Sequence, residues 1–288
     1  MIQQLAVVGL GLIGGSLARA LRAAHEIGGI TGFDVDPAQR LAAERLGVVD
    51  RAYPGVDDCV READIVVLAV PVLRTAEALR AVLPALRRGA IVTDVGSTKQ
   101  SVLADVSGVC GELPPWFVAG HPIAGTEKSG VANSDGDLFR GHRVILTPHE
   151  RQDAAAKKRV AQLWTATGAR VVEMDAARHD AIFAATSHLP HLLAYSFVDM
   201  LARQPTSDAI FPNAGGGFRD FTRIASSSPQ MWHDIIRANS TSVGDLLALQ
   251  IRELQQIQRL MQEQRWDEIK SVFECARAAR ERHLTQIE

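Results

Sequence analysis

The segment His121-Pro122-Ile123-Ala124-Gly125-Thr126-Glu127-Lys128-Ser129-Gly130 brings an imidazole, a hydroxyl, a carboxylate and an ammonium into one short stretch. An imidazole has an unperturbed pKa of ~6.5, so His121 is suited to taking a proton from a substrate near neutrality. Pro122, Gly125 and Gly130 oppose a long regular element, and the stretch reads as a loop after the apolar run Trp116 to Ala119. Polar loops at strand ends are where α/β enzymes place chemistry. A solvated surface loop is the plain alternative, and the surrounding elements must decide.

A second chemical feature lies near the start. Leu5-Ala6-Val7-Val8 is a strand-like run leading into Gly9-Leu10-Gly11-Leu12-Ile13-Gly14, and a helical segment follows from Ser16 to Ala24. Glycines at this spacing between strand and helix form a pyrophosphate cradle. Gly9 permits the tight turn, Gly11 lets the anion approach the backbone, and Gly14 lets helix and strand pack closely. Leu12 and Ile13 open the helix, whose first N–H groups face the anion. Twenty residues beyond Gly14, Asp34 closes a second strand, Gly29 to Phe33. A carboxylate there accepts hydrogen bonds from an adenosine ribose and repels a 2′-phosphate, so NAD is favoured over NADP. Asp36 precedes Pro37 and reads as the cap of the next helix.

These groups need elements to hold them. Ile65 to Val70 is a continuous apolar run ended by Pro71, as in a strand buried on both faces, and Val72 to Leu86 follows with helical spacing. Ala90 to Val95 is the next strand, stopping at Gly96-Ser97-Thr98-Lys99. Trp116 to Ala119 delivers His121, and Arg143 to Leu146 and Arg170 to Val172 are two more strands around a helix from about Asp153 to Thr167. Such alternation predicts an α/β fold with a Rossmann-type doubly wound, mostly parallel sheet. Ligands of such sheets bind beyond the carboxyl ends of the strands, and the Gly9 turn, Asp34, Val70-Pro71, Ser97 and His121 all fall there.

From about Ala176 the strand signal disappears, which divides the chain into a dinucleotide-binding part, 1–175, and an all-α part, 176–288. Ile182 to Leu201 is apolar on most faces, as expected of a helix buried in a core or against a second subunit. Within it lies Ser187-His188-Leu189-Pro190-His191, where Pro190 should kink or restart the helix. The pair His188 and His191 could begin a metal site, but no third ligand is evident nearby, and no metal is expected. Asn213 to Arg223 contains three consecutive glycines and reads as a flexible loop, with Arg219, Asp220 and Arg223 suited to holding an anion. A last helix carries Leu247, Ile251, Leu254, Ile257 and Met261 on one face, a stripe for packing.

Bulk properties narrow the function classes. A net charge of -2 and pI near 6.5 offer no footprint for nucleic acid or an anionic membrane. The apolar N-terminus lacks the basic flank of a signal peptide, and no apolar run is long enough to span a bilayer. Three scattered cysteines match a reducing compartment, so a cytoplasmic location is expected.

Taken together, Gly9 to Ser16, Asp94-Val95-Gly96-Ser97-Thr98-Lys99, the His121 segment, Ser187 to His191 and Gly215 to Arg223 resemble the prephenate/arogenate (cyclohexadienyl) dehydrogenase family nearly end to end. The first motif is generic to nucleotide-binding folds; the other four together are specific. The resemblance implies NAD-dependent oxidative decarboxylation in tyrosine biosynthesis, with prephenate and arogenate both candidate substrates. It also implies that His121 takes the proton of the ring hydroxyl, that Ser97 supports that contact, and that Arg223 binds a substrate carboxylate. By the same resemblance His188, His191 and Thr126 line the pocket and Glu127 gates it. Arg219 and Asp220 are expected to reach across from a partner subunit, the helical half being the dimerisation domain. Two other readings stay open: a two-domain NAD dehydrogenase of β-hydroxy acids, and a non-catalytic NAD-binding protein. The first should carry a catalytic lysine on a helix of the second half, where none is well placed; the second has no need of His121, Ser97 and Arg223 together.

Overall fold

The computed structural model describes residues 2–287. One parallel sheet contains β1 (Ile2–Val8), β2 (Ile27–Phe33), β3 (Arg51–Ala52), β4 (Ile65–Leu68), β5 (Ile91–Asp94) and β6 (Phe117–Val118). The connections carry α1 (Leu12–Ala23), α2 (Pro37–Arg45), α3 (Val56–Val60), α4 (Thr75–Val82) and α5 (Gln100–Cys110). The order β3-β2-β1-β4-β5-β6 reverses between β1 and β4, and a doubly wound sheet opens its ligand crevice at that reversal.

Side chains alternate across a strand, and here the alternation feeds two cores. Leu5, Val7, Ile65 and Val67 face one side, where they meet Leu17 and Leu21 of α1. Ala6, Val8, Val66 and Leu68 face the other, against Leu79 and Val82 of α4 and Val102 and Val106 of α5. Both faces are covered, which is why these strands are apolar at every position.

The strands predicted at Arg143 and Arg170 do not join this sheet. They form a second, three-stranded sheet, β7 (Gly120–Pro122), β8 (Arg143–Leu146) and β9 (Arg170–Glu173), with α6 (Ala154–Ala166) between the last two. β7 is antiparallel to β8, with His121 opposite Ile145. The chain leaves the first sheet at Gly120, where side chains from the end of β5 and the start of α5 take up its backbone. Asp94 Oδ1 accepts from Gly120 N at 3.1 Å, and Lys99 Nζ donates to Gly120 O at 2.6 Å. His121 therefore sits on a strand, not in the loop expected from its neighbouring proline and glycines.

The remainder is helical: α7 (Ala176–Phe183), α8 (Leu189–Ala202), α9 (Ser207–Ile210), α10 (Gly216–Thr222), α11 (Pro229–Ala238), α12 (Ser240–Gln262) and α13 (Trp266–Ile287). A π-helical turn, Ala184–His188, joins α7 to α8 just before Pro190, the local widening by which a continuous helix accommodates a proline. The glycine-rich stretch is not the flexible loop expected. Gly215 supplies the extended N-cap of α10, and Phe218 and Phe221 pack near Phe197. That aromatic packing offsets the roughly 1 kcal/mol that a helical glycine costs.

The chain divides into compact units at 1–240 and 241–288. In the first, Trp232 and Ile235 of α11 belong to the core on the α4/α5 side of the sheet. In the second, the helices α12 and α13 leave Leu249, Ile251, Leu254, Met261, Trp266 and Phe273 exposed. No helix among the described residues is long and apolar enough to cross a membrane.

Candidate active site

At the β1–α1 turn, Gly9 has φ +104°, and a Cβ there would stand 2.2 Å from Ala69 O at the end of β4. A Cβ on Gly14 would stand 2.1 Å from Gly9 O. Both positions require glycine for the backbone to close on itself. Gly11 is different: a Cβ would meet nothing within 4 Å. It is the N-cap of α1 and offers no side-chain cap, so the first N–H groups of that helix, from Leu12, Ile13 and Gly14, are left without a side-chain partner. Space, an uncapped helix start and bare backbone suit a pyrophosphate.

Asp34 lies beside this turn. Its Oδ2 accepts from Leu10 N at 2.8 Å and its Oδ1 from Asp36 N at 2.9 Å, which fixes the carboxylate at the end of β2 with lone pairs to spare. Asp36 caps α2 by accepting from Ala38 N, as its place before proline implied. Val70 and Pro71 follow β4 on the other side of the Gly9 contact, and Ser97 follows β5, the next strand along. The sequence-derived cofactor positions thus line one edge of the sheet.

His121 stands at the same edge among ionisable groups. Its Nδ1 lies 2.8 Å from Nε2 of His179, and Nδ1 of His179 lies 2.8 Å from Oδ1 of Asp180. Phe183 packs edge-on against the His121 ring at 5.0 Å between centroids. Burial pushes the His121 imidazole well below its usual pKa, and the neighbouring His179, Lys99 and His188 add to that. It is neutral at physiological pH and available as a base. His188 is buried, with its pKa lowered to about 4 mainly by burial, and its Nδ1 stands 3.1 Å from Asn239 Nδ2. His191 stacks on Trp232 at 3.5 Å, holds Ser187 O through Nδ1, and is lowered by burial and, among its charged neighbours, by Arg223.

Arg223 reaches the His121 segment: its Nη1 lies 3.6 Å from Glu127 Oε2. Thr126, in the same segment, is exposed and accepts from Lys128 N. Arg219 and Asp220 are elsewhere, about four-fifths exposed and 3.9 Å from each other. The fold thus gathers His121, His188, His191, Glu127 and Arg223, and leaves Arg219 and Asp220 facing outward on α10. No cluster of metal-ligating side chains occurs among the described residues.

Sequence reasoning missed the groups that hold His121 in place. Lys99 is fully buried, with Nζ 2.5 Å from Asp94 Oδ2. Asp180 accepts from the backbone N–H groups of Lys99 and Gln100, closing the start of α5 with a carboxylate where the helix dipole favours one. Asn239 donates to Asp180 O and so ties α11 to the same cluster. Lys99 and Asp94 lie within a recognised motif, yet a buried ion pair has no spacing rule to reveal it. His179-Asp180 is a plain dipeptide in the middle of α7.

A crevice shaped for a dinucleotide, bordered by a neutral imidazole backed by another imidazole and a carboxylate, defines the chain as a dinucleotide-dependent oxidoreductase. Comparison with known proteins gives the particular kind. The family model for the prephenate dehydrogenase nucleotide-binding domain matches residues 17–173, and that for the prephenate dehydrogenase dimerization domain matches residues 175–275. The chain belongs to the prephenate dehydrogenase family. It is 38% identical to the prephenate dehydrogenase of Bacillus subtilis (strain 168), over 96% of this chain and 74% of that one. It is 35% identical to the cyclohexadienyl dehydrogenase of Zymomonas mobilis, over 97% and 96%. Among solved structures, prephenate dehydrogenase from A. aeolicus in complex with hydroxyphenyl propionate and NAD+ superposes with a TM-score of 0.91, at 35% identity, covering 100% of this chain and 99% of that one.

Proposed function

We propose that this protein oxidises and decarboxylates prephenate to 4-hydroxyphenylpyruvate with NAD⁺, and that it also accepts arogenate, yielding tyrosine. The observation that carries this reading is the convergence of His121, Arg223 and Glu127 beside the dinucleotide crevice of a chain matched nearly end to end by the family. NAD, when bound, supplies the hydride acceptor. Gly9, Gly11 and Gly14 shape the pyrophosphate cradle with Leu12 and Ile13, Asp34 receives the adenosine ribose, and Val70, Pro71 and Ser97 border the nicotinamide end.

His121 takes the proton of the ring hydroxyl as the hydride departs, and Ser97 shares that contact. A base so placed supplies typically ~10²–10⁴-fold in rate. Arg223 grips a carboxylate of the substrate through its guanidinium fork, which a lysine could not reproduce. His188, His191 and Thr126 line the ring and side-chain pocket, while Glu127 competes for Arg223 until substrate arrives. Loss of CO₂ aromatises the ring and drives the reaction forward.

The division into a dinucleotide-binding part, 1–175, and a helical substrate and dimerisation part, 176–288, belongs to the same proposal, as does a cytoplasmic homodimer. The exposed apolar residues of 241–288 and the outward-facing Arg219 and Asp220 support it, because both need a partner to acquire a role. The test is NADH appearance with prephenate, arogenate and simple hydroxy acids offered in turn. Turnover with the two cyclohexadienes is expected, and turnover with hydroxy acids alone would overturn the assignment. His121→Asn should keep NAD affinity and lower kcat by roughly 10²-fold or more.

A further inference from the structure

The hydrogen bonds around His121 can each be assigned a direction. Asp180 is an acceptor: it takes the N–H groups of Lys99 at 2.8 Å and Gln100 at 2.9 Å. His179 Nδ1, 2.8 Å from Asp180 Oδ1, therefore carries a proton, which in the neutral ring leaves a lone pair on Nε2. That lone pair faces His121 Nδ1 at 2.8 Å, so His121 donates from Nδ1 and keeps its own lone pair on Nε2, the nitrogen left for substrate. We propose that Asp180, His179 and His121 form a relay in which His179 is a positioning residue, fixing the tautomer of the base and receiving the charge that the base acquires.

The relay deepens the proposed reaction and rests on that reading of the site. The ring hydroxyl gives its proton to His121 Nε2, the Nδ1 proton of His121 passes to His179 Nε2, and the C–H electron pair leaves as hydride to NAD⁺. The positive charge then resides on His179, in direct contact with the Asp180 carboxylate, and His121 is neutral again. Such a transfer answers a difficulty of the site. Burial, His179, Lys99 and His188 all disfavour a charged His121, whereas the hydrogen bond from His179 to Asp180, with Asp94 nearby, opposes the effect of burial and Lys99 on His179. The proton moves to the imidazole with the anion behind it.

The test uses the full-length enzyme. His179→Gln retains an acceptor for His121 Nδ1–H but cannot hold a proton. It is expected to lower kcat by about tenfold or more while leaving KM for prephenate and NAD within about threefold. The acidic limb of its kcat profile should move to lower pH, because without His179 an added proton must sit on the buried His121. Rates in mixtures of light and heavy water should bow in the wild type, with two protons in flight, and become linear in the variant. An unchanged kcat and pH profile in His179→Gln would overturn the relay. Nitrogen-15 shifts of His121 in the unliganded wild type provide a readout that needs no turnover. A proton on Nδ1 is expected, and one on Nε2 would sink the proposal. If the wild type makes no NADH from prephenate, the reaction assignment fails while this tautomer measurement still tests the relay.

Discussion

Arg223 and Glu127 face each other at 3.6 Å, joining the end of α10 to the segment that follows β7. Both side chains are half-exposed, and an ion pair of that kind is worth about 0–1 kcal/mol, so a ligand carboxylate can replace Glu127 at little cost. Glu127→Gln is expected to change stability by less than about 1 kcal/mol and to lower KM for prephenate a few-fold. Arg223→Ala should raise KM far more than it lowers kcat. Steady-state kinetics beside thermal melts check both, and saturation unaltered in Arg223→Ala would show the carboxylate is held elsewhere.

The glycine turn separates folding from binding. Gly11→Ala enters open space and should melt within a few degrees of the wild type, while the added methyl fills the pyrophosphate cradle and raises KM for NAD. Gly9→Ala meets the Ala69 carbonyl and must displace backbone, so its first defect should be loss of stability by more than about 1 kcal/mol. Melting curves and NAD titrations of the two variants distinguish these outcomes.

Asp34 predicts cofactor choice. Its carboxylate is held by Leu10 N and Asp36 N and cannot swing away from a 2′-phosphate. Relative kcat/KM should favour NAD over NADP by about tenfold or more, equivalent to about 1.4 kcal/mol, and Asp34→Ser should narrow the ratio. Equal values in the wild type would refute the assignment.

Stability should fall in mild acid. His188 is held neutral when folded, with a pKa of about 4, but takes a proton near 6.5 when unfolded. Between those values the unfolded chain binds more protons, so the stabilisation is complete above about pH 6.5 and is lost as pH drops towards 4. At about 1.4 kcal/mol per tenfold difference in proton affinity, His188 alone contributes on the order of 3 kcal/mol. His121 and His179, also lowered, act in the same direction. Denaturant midpoints across this range measure the effect, and His188→Asn should flatten it.

Much of the crevice was legible because its signals are local. A strand, three spaced glycines and a helix declare the turn around Gly9, and Asp34 follows at a fixed distance. The carboxyl-end rule then placed Pro71, Ser97 and His121 on one edge without any knowledge of contacts. What stayed hidden depends on distant partners. His121 lies on a strand because Asp94 and Lys99 capture Gly120, and neither residue is near it in sequence. Gly216 and Gly217 are helical because Phe218 and Phe221 of the same helix pack against Phe197 of α8, against the propensity of the segment itself. His179 carries no motif, and only the folded distance of 2.8 Å to His121 reveals it.

Lys99 has a wider significance than neutralising Asp94. Its ammonium clasps both the end of β5, from which the Ser97 turn departs, and the carbonyl immediately preceding His121. The two sides of the reaction, the turn proposed to border the nicotinamide and the strand bearing the imidazole, are thereby anchored to one buried post. Any displacement of that turn when the dinucleotide docks would pull on the imidazole in the same stroke, so cofactor arrival and alignment of the base become a single mechanical event.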